Sequence, residues 1–290
     1  IEIGPQAPFN IIYSSGTTGT PKGIVQPHGM RWAHVDRARL SDYGPGAVTL
    51  LSTPLYSNTT MASFMPTVGS GGQVVLMTNA PRPNQFVIAQ LDRMGVPRDA
   101  WDAVVSSGDA AQEAMFSGAV GRKVWHIGTE KDDGFFNDIP ADFADAPPIQ
   151  RVPLDQAEGI VATGPFDELT ETPGDYHDRL IEARDRGLPM LCANPDVIVD
   201  MGETRIYCAG ALAEYYEGLG GISLYFGKPH PPIYDRARRL LGLAPDARLL
   251  AVGDGIFTDV KGGLDQGIDV LFVTGGLAAD ALGPDVENPD

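Results

Sequence analysis

Four side chains in this 290-residue sequence have the types and spacing to handle a phosphoryl group. Thr78 follows the apolar run "VVLM", Lys228 lies in "YFGKPH", and Asp254 and Asp259 close "LLAVGDGIFTD". Each sits just beyond a strand-like run, and a doubly wound α/β sheet gathers its ligands at the carboxyl ends of its strands. A hydroxyl and a lysine can hold phosphate oxygens, and a carboxylate pair can hold a hydrated Mg²⁺. The lysine also supplies charge against the charge that develops on a transferred phosphoryl group.

The elements that must position these residues are legible as alternating patterns. Strand-like runs include "FNIIYSS" (9–15), "AVTLLS" (47–52), "GQVVLM" (72–77), "AVVSSG" (103–108), "RKVWHIG" (122–128), "GIVATG" (159–164), "PMLCAN" (189–194), "ETRIYCA" (203–209), "LLAVGDG" (249–255) and "VLFVTGG" (270–276). Amphipathic stretches such as 86–95, 176–187 and 232–242 fall between several of them. Continuous apolar strands alternating with helices predict a parallel sheet covered on both faces. The Pro-, Asp- and Ala-rich stretch 138–150 predicts a surface loop.

Composition narrows the partners. A hydrophobic fraction of 43% with 20% charged residues describes a globular chain with ample core. A formal charge of -17 and a pI near 4.5 argue against a nucleic-acid backbone or an anionic membrane as partner; the small phosphorylated metabolite expected instead is what the family resemblance described below implies. Cys192 and Cys208 stand in apolar stretches without metal-ligand spacing, and are expected as buried reduced thiols. No apolar run reaches the ~18 residues of a membrane span, no signal peptide is visible, and a cytoplasmic setting is expected. The start at Ile1 suggests a processed product, a trimmed chain or a fragment. The short "GPDVENPD" ending suggests an uncovered sheet edge and marginal stability.

"YSSGTTGTPKG" (13–23) alternates small hydroxyl residues with glycines and ends in Lys22, a composition that cradles phosphates without the GxxxxGK[ST] spacing. With "IVQPHGM" and "STPLYSNTT" it resembles the adenylate-forming superfamily of acyl-CoA synthetases and related ligases. The resemblance implies that Ser14, Ser15, Gly16, Thr17, Thr18, Gly19 and Lys22 once held ATP phosphates. It runs to about residue 77, and the superfamily's downstream adenine- and acyl-binding motifs are missing, so this loop is expected to be vestigial.

From about Val74 onward, "TNAPRP", "SSGD", "CANPD", "YCAGALAEYYEGLGG", "FGKPHPPIYDRA" and "VGDGIFTDVKGGLDQGIDVLFVTGG" resemble class IIA hydrolases of the haloacid dehalogenase superfamily. The resemblance implies an α/β fold: a Rossmann-like doubly wound parallel sheet over 78–109 and 189–290, with an inserted α/β cap over 110–188. The adenylate-forming-like piece, 1–77, would be a β-α-β fragment whose 47–77 part completes the core. By the same resemblance Thr78 and Lys228 bind phosphate, Asp254 and Asp259 serve Mg²⁺, and Asn79, Asn194 and Asp196 face substrate. For Asn194 and Asp196, a hinge role is the competing reading.

Such hydrolases attack phosphorus with an aspartate that begins a DxD-type loop after the first strand, and that aspartate also binds Mg²⁺. Before Thr78 the only aspartates here are Asp36 and Asp42, and neither follows a strand-like run. If "AVTLLS" takes the first-strand position, Ser52 stands in the nucleophile's place and Pro54 in that of the second acid. A hydroxyl without an adjacent base is a poor nucleophile, and the metal site is weakened. Three readings follow: a damaged Mg²⁺-dependent phosphohydrolase, a fragment of an ATP-using ligase, or a non-catalytic hybrid that binds phosphate or nucleotide.

Overall fold

The computed structural model describes residues 3–14, 22–38, 40, 43–51, 58–201, 204–244 and 246–273. Along the chain run β1 (Pro8–Ser14), β2 (Lys22–Pro27), α1 (His28–Ala38), β3 (Val48–Leu51), α2 (Asn58–Gly69) and β4 (Gln73–Thr78). Next come α3 (Asn84–Arg93), β5 (Ala103–Ser106), α4 (Ser107–Phe116), β6 (Lys123–Ile127), α5 (Gly134–Asn137), β7 (Gln150–Arg151), β8 (Gly159–Ala162), α6 (His177–Asp185) and β9 (Pro189–Cys192). The remainder are β10 (Ile198–Met201), β11 (Thr204–Tyr207), α7 (Ala209–Gly218), β12 (Ile222–Tyr225), α8 (Pro231–Leu240), β13 (Leu249–Gly253), α9 (Lys261–Asp265) and β14 (Asp269–Phe272). The chain divides into two compact units: residues up to Leu76 with Ala100–Asp102 and those from Leu243 onward, and Met77–Asp99 with Ala103–Gly242.

In the first unit β3 is an inner strand of a parallel sheet. Leu51 lies opposite Val252 of β13 on one side and Leu76 of β4 on the other, and β13 pairs onward with β14. All four β3 residues are buried, as a strand covered on both faces requires. Leu51, Val74, Val252 and Val273 form the core, with Phe64 and Trp101 packed against it. The single hydroxyl in β3, Thr49, pairs with Thr67 of α2 at 2.7 Å, and Thr67 donates in turn to the Ser63 carbonyl, so this buried polar pair is satisfied. Gly69 lets α2 close on α1, because a Cβ there would meet Val35 Cγ1 at 2.6 Å.

β1 and β2 form an antiparallel hairpin with Ser14 opposite Lys22. Of the expected nucleotide loop only these two backbone positions are described. Ser15, Gly16, Thr17, Thr18 and Gly19 lie outside the described residues, as do Ser52, Pro54 and the "GPDVENPD" ending.

The second unit is built on a parallel sheet in the order β12-β9-β8-β6-β7. Side chains alternate cleanly across it. Trp125, Ile127, Ile160, Ala162, Met190 and Cys192 enter one cluster with Leu180 of α6 and Leu212 of α7. Val124, Val161 and Leu191 enter the other with Met115 and Phe116 of α4. Burying each large aliphatic contributes roughly 1.5–3 kcal/mol, so the two-sided core explains why these strands read as uninterrupted apolar runs. β10 and β11 form a separate antiparallel hairpin.

β9 and β12, which lie beyond the expected cap edge at residue 188, hydrogen-bond into the same sheet as β6 and β8. The alternation of strands and helices does not pause at 188. The thiols of Cys192 and Cys208 are free and buried. Burial pushes the Cys208 thiol up to about 12 and that of Cys192 higher still, so both are protonated at neutral pH.

Candidate functional site

The second unit joins three of the expected site residues, Asn79, Asp196 and Lys228, through one buried amide. Asn79, just past the end of β4, accepts from the Lys228 backbone N–H at 2.7 Å. Its side-chain nitrogen donates to the Lys228 carbonyl at 3.0 Å and to Asp196 Oδ1 at 2.8 Å. Three segments far apart in sequence are thereby fixed to each other. Lys228 is only 7% exposed, and its ammonium donates to the Met77 carbonyl at the long distance of 3.4 Å. Gly227 permits the approach, since a Cβ there would lie 2.5 Å from Asn79 Oδ1 and 2.6 Å from both Pro195 Cδ and Ser107 Oγ.

The neighbouring residues are more local in their commitments. Thr78 Oγ1 accepts from the Ala80 backbone N–H at 3.2 Å, a turn bond that leaves the hydroxyl proton available to an incoming acceptor. Asn194 Oδ1 accepts from the Asp196 backbone N–H at 3.0 Å and shapes the turn that delivers Asp196 to Asn79. The "SSGD" stretch closes a capping box, with Ser106 and Asp109 bonding each other's backbones at the start of α4. The buried Ser107 hydroxyl between that cap and Gly227 has no hydrogen-bond partner among the described residues.

A second polar cluster in this unit was not expected. Asp132, whose side chain is 1% exposed, accepts from Thr163 Oγ1 at 3.0 Å, and its other oxygen lies 3.5 Å from Arg82 Nε. Because the Thr163 proton goes to Asp132, the assignment that satisfies both bonds has His126 Nε2 donating to Thr163 Oγ1 at 3.0 Å. Burial, with Arg151 nearby, pushes the His126 imidazole down to about 4, so it is neutral at pH 7. Burial raises the Asp132 carboxyl, while the Thr163 bond and Arg82 pull it back. Sequence offered little warning of this cluster, since Arg82, His126, Asp132 and Thr163 fall in four separate segments.

Asp254 and Asp259 belong to the first unit. β13 ends at Gly253 beside the end of β3, and the chain then winds into a wide helical turn in which Asp259 and Val260 both donate to the Gly255 carbonyl. Asp259 folds back so that its Oδ2 accepts from the Gly255 N–H at 3.0 Å. Gly253 makes room for it, because a Cβ there would lie 2.3 Å from Asp259 Cγ.

This donor set does not fit Mg²⁺. Among the described residues no group of three or more His, Cys, Asp or Glu side chains could hold a metal. The sequence contains no Asp or Glu between Asp42 and Asp92, so neither β3 nor the residues after it bring a carboxylate. Two aspartates, one already turned onto its own backbone, fall short of the oxygen-rich shell the ion needs.

A solved structure titled as a hydrolase of the haloacid dehalogenase-like family, from Brucella suis 1330, superposes on the chain with a TM-score of 0.72. It is 37% identical, and the match covers 86% of this chain and 95% of that one. The chain belongs to the haloacid dehalogenase-like family. The family's HAD-hydrolase-like sequence pattern matches residues 225–290, the stretch that holds Lys228, Asp254 and Asp259. A Corynebacterium glutamicum dihydroxyacetone phosphatase is 31% identical over 96 residues, 33% of this chain and 34% of that protein. The AMP-binding enzyme pattern matches residues 1–117, well beyond the expected join near 77. The phosphinothricin tripeptide synthetase PhsB of Streptomyces viridochromogenes is 31% identical over 100 residues, only 8% of its length. This haloacid dehalogenase-like chain thus spans about a third or less of the curated proteins it matches.

Proposed function

We propose that the protein is a phosphate-binding member of the haloacid dehalogenase-like family that takes small phosphomonoesters but hydrolyses them at or near the background rate. Lys228 supplies charge and Thr78 a hydroxyl to the phosphate oxygens, while Asn79 and Asp196 hold the lysine's loop in place. The similarity to a dihydroxyacetone phosphatase supports a phosphorylated metabolite as ligand. Mg²⁺, where the family uses it, would supply Lewis-acid charge; here no step is assigned to it. Ser52 in the nucleophile's place has no partner base in its sequence neighbourhood, which holds no Asp, Glu or His between Asp42 and Asp92.

The observation that carries this reading is the Asn79–Lys228–Asp196 network, which fixes a buried lysine in a family that uses this segment for phosphate. Calorimetric titration with inorganic phosphate in metal-free buffer is the test. Binding is expected in the wild type and is expected to weaken about tenfold to a hundredfold in Lys228→Met, the range for loss of one charged hydrogen bond. Absence of binding at millimolar phosphate would overturn the proposal.

A second reading rests on the AMP-binding pattern over residues 1–117. Binding of ATP with carboxylate-dependent release of pyrophosphate would favour it.

A further inference from the structure

We infer that Arg82 is a specificity-determining residue that binds a second anionic group, a carboxylate or a phosphate, on the phosphorylated ligand. This rests on the phosphate-binding role of Thr78 and Lys228 proposed above. Arg82 lies four residues after Thr78, a chain span of at most ~14 Å. One turn holds both it and the lysine loop. The Ser106 hydroxyl donates to the Arg82 carbonyl at 2.7 Å, and a Cβ on Gly108 would meet the Arg82 backbone at 2.5 Å. Ser107, between those two residues, faces Gly227, which immediately precedes Lys228.

The side chain is held at one point and open at the other. Its Nε is buried and lies 3.5 Å from Asp132 Oδ1, whereas the side chain as a whole is 42% exposed. Neither terminal amino group makes a hydrogen bond among the described residues. Asp132 is itself anchored by Thr163 and through it by His126. The Nε lies beside a buried carboxylate without a hydrogen bond to it, and the terminal donors on the exposed side form a fork that suits an anion. A purely structural ion pair has no need of two uncommitted donors on the open side.

The test compares three non-hydrolysable probes by calorimetry: propylphosphonate, 3-phosphonopropionate and propane-1,3-bisphosphonate. Wild type is expected to favour at least one doubly anionic probe over propylphosphonate by at least about tenfold; which one identifies the second group as carboxylate or phosphate. In Arg82→Gln that ratio is expected to fall to near one. Arg82→Lys, which keeps the charge but loses the fork, is expected to fall between, and thermal melts confirm that both variants are folded. Equal affinity for all three probes in wild type, or a ratio that survives Arg82→Gln, overturns the inference and leaves the phosphate reading intact. Failure of the wild type to bind any probe overturns both.

Discussion

Ser52→Asp is expected to give the protein Mg²⁺-dependent phosphomonoesterase activity at least about tenfold above wild type, together with measurable Mg²⁺ binding. Ser52 directly follows β3 in the chain. That strand lies between β13 and β4, and its last residue, Leu51, pairs with Val252, one residue before the Gly253–Asp254 turn. Aspartate at the next position would restore the carboxylate that the family uses both to attack phosphorus and to hold the metal. The gain is expected to be modest because the residue two positions on in the sequence is Pro54, which offers no carboxylic acid to protonate the leaving group. Release of p-nitrophenol from p-nitrophenyl phosphate, with and without Mg²⁺, reads the turnover. No change in either turnover or Mg²⁺ affinity would show that Ser52 does not occupy the nucleophile's place.

Asn79→Ala is expected to destabilise the protein by about 2–4 kcal/mol, measured by urea unfolding, and to abolish phosphate binding at millimolar concentration. The substitution removes the acceptor for the Lys228 N–H and the donor for both the Lys228 carbonyl and Asp196. A buried backbone amide left without its partner bears the full desolvation cost, which is what separates this site from an exposed amide. Asn79→Asp keeps the acceptor toward Lys228 but sets a second carboxylate against Asp196, so it should not rescue binding. A loss below about 0.5 kcal/mol would mean that the three segments are held together by packing alone.

Sequence made Thr78, Lys228, Asp254 and Asp259 visible because each follows an apolar run, and strand ends are where backbone geometry exposes side chains. It made the role of Asn79 only partly visible. The residue was expected to face substrate, and in the structure its amide also ties Lys228 to Asp196. Asn194 likewise shapes its own turn. Such commitments depend on segments more than a hundred residues apart and leave no local signature. The same holds for Arg82, His126, Asp132 and Thr163; of these, His126 and Thr163 are brought together by the pairing of β6 with β8.

The expected cap edge at residue 188 falls just before β9. β9 is as apolar as the strands before it, and the "CANPD" turn that follows looks like a return to another module. Hydrogen bonding to β8 and β12 decides its membership, and pairing partners are not written in strand composition. β4 spans Gln73–Thr78, and the chain passes from the first compact unit to the second between Leu76 and Met77.

We propose a phosphohydrolase frame without its nucleophile, a claim that hydrolysis by the unaltered protein puts to the test. Purified wild type, assayed with Mg²⁺ against p-nitrophenyl phosphate and a panel of small phosphomonoesters, is expected to release phosphate no faster than buffer. Robust Mg²⁺-dependent turnover of any one of them, abolished by Lys228→Met, would contradict the claim.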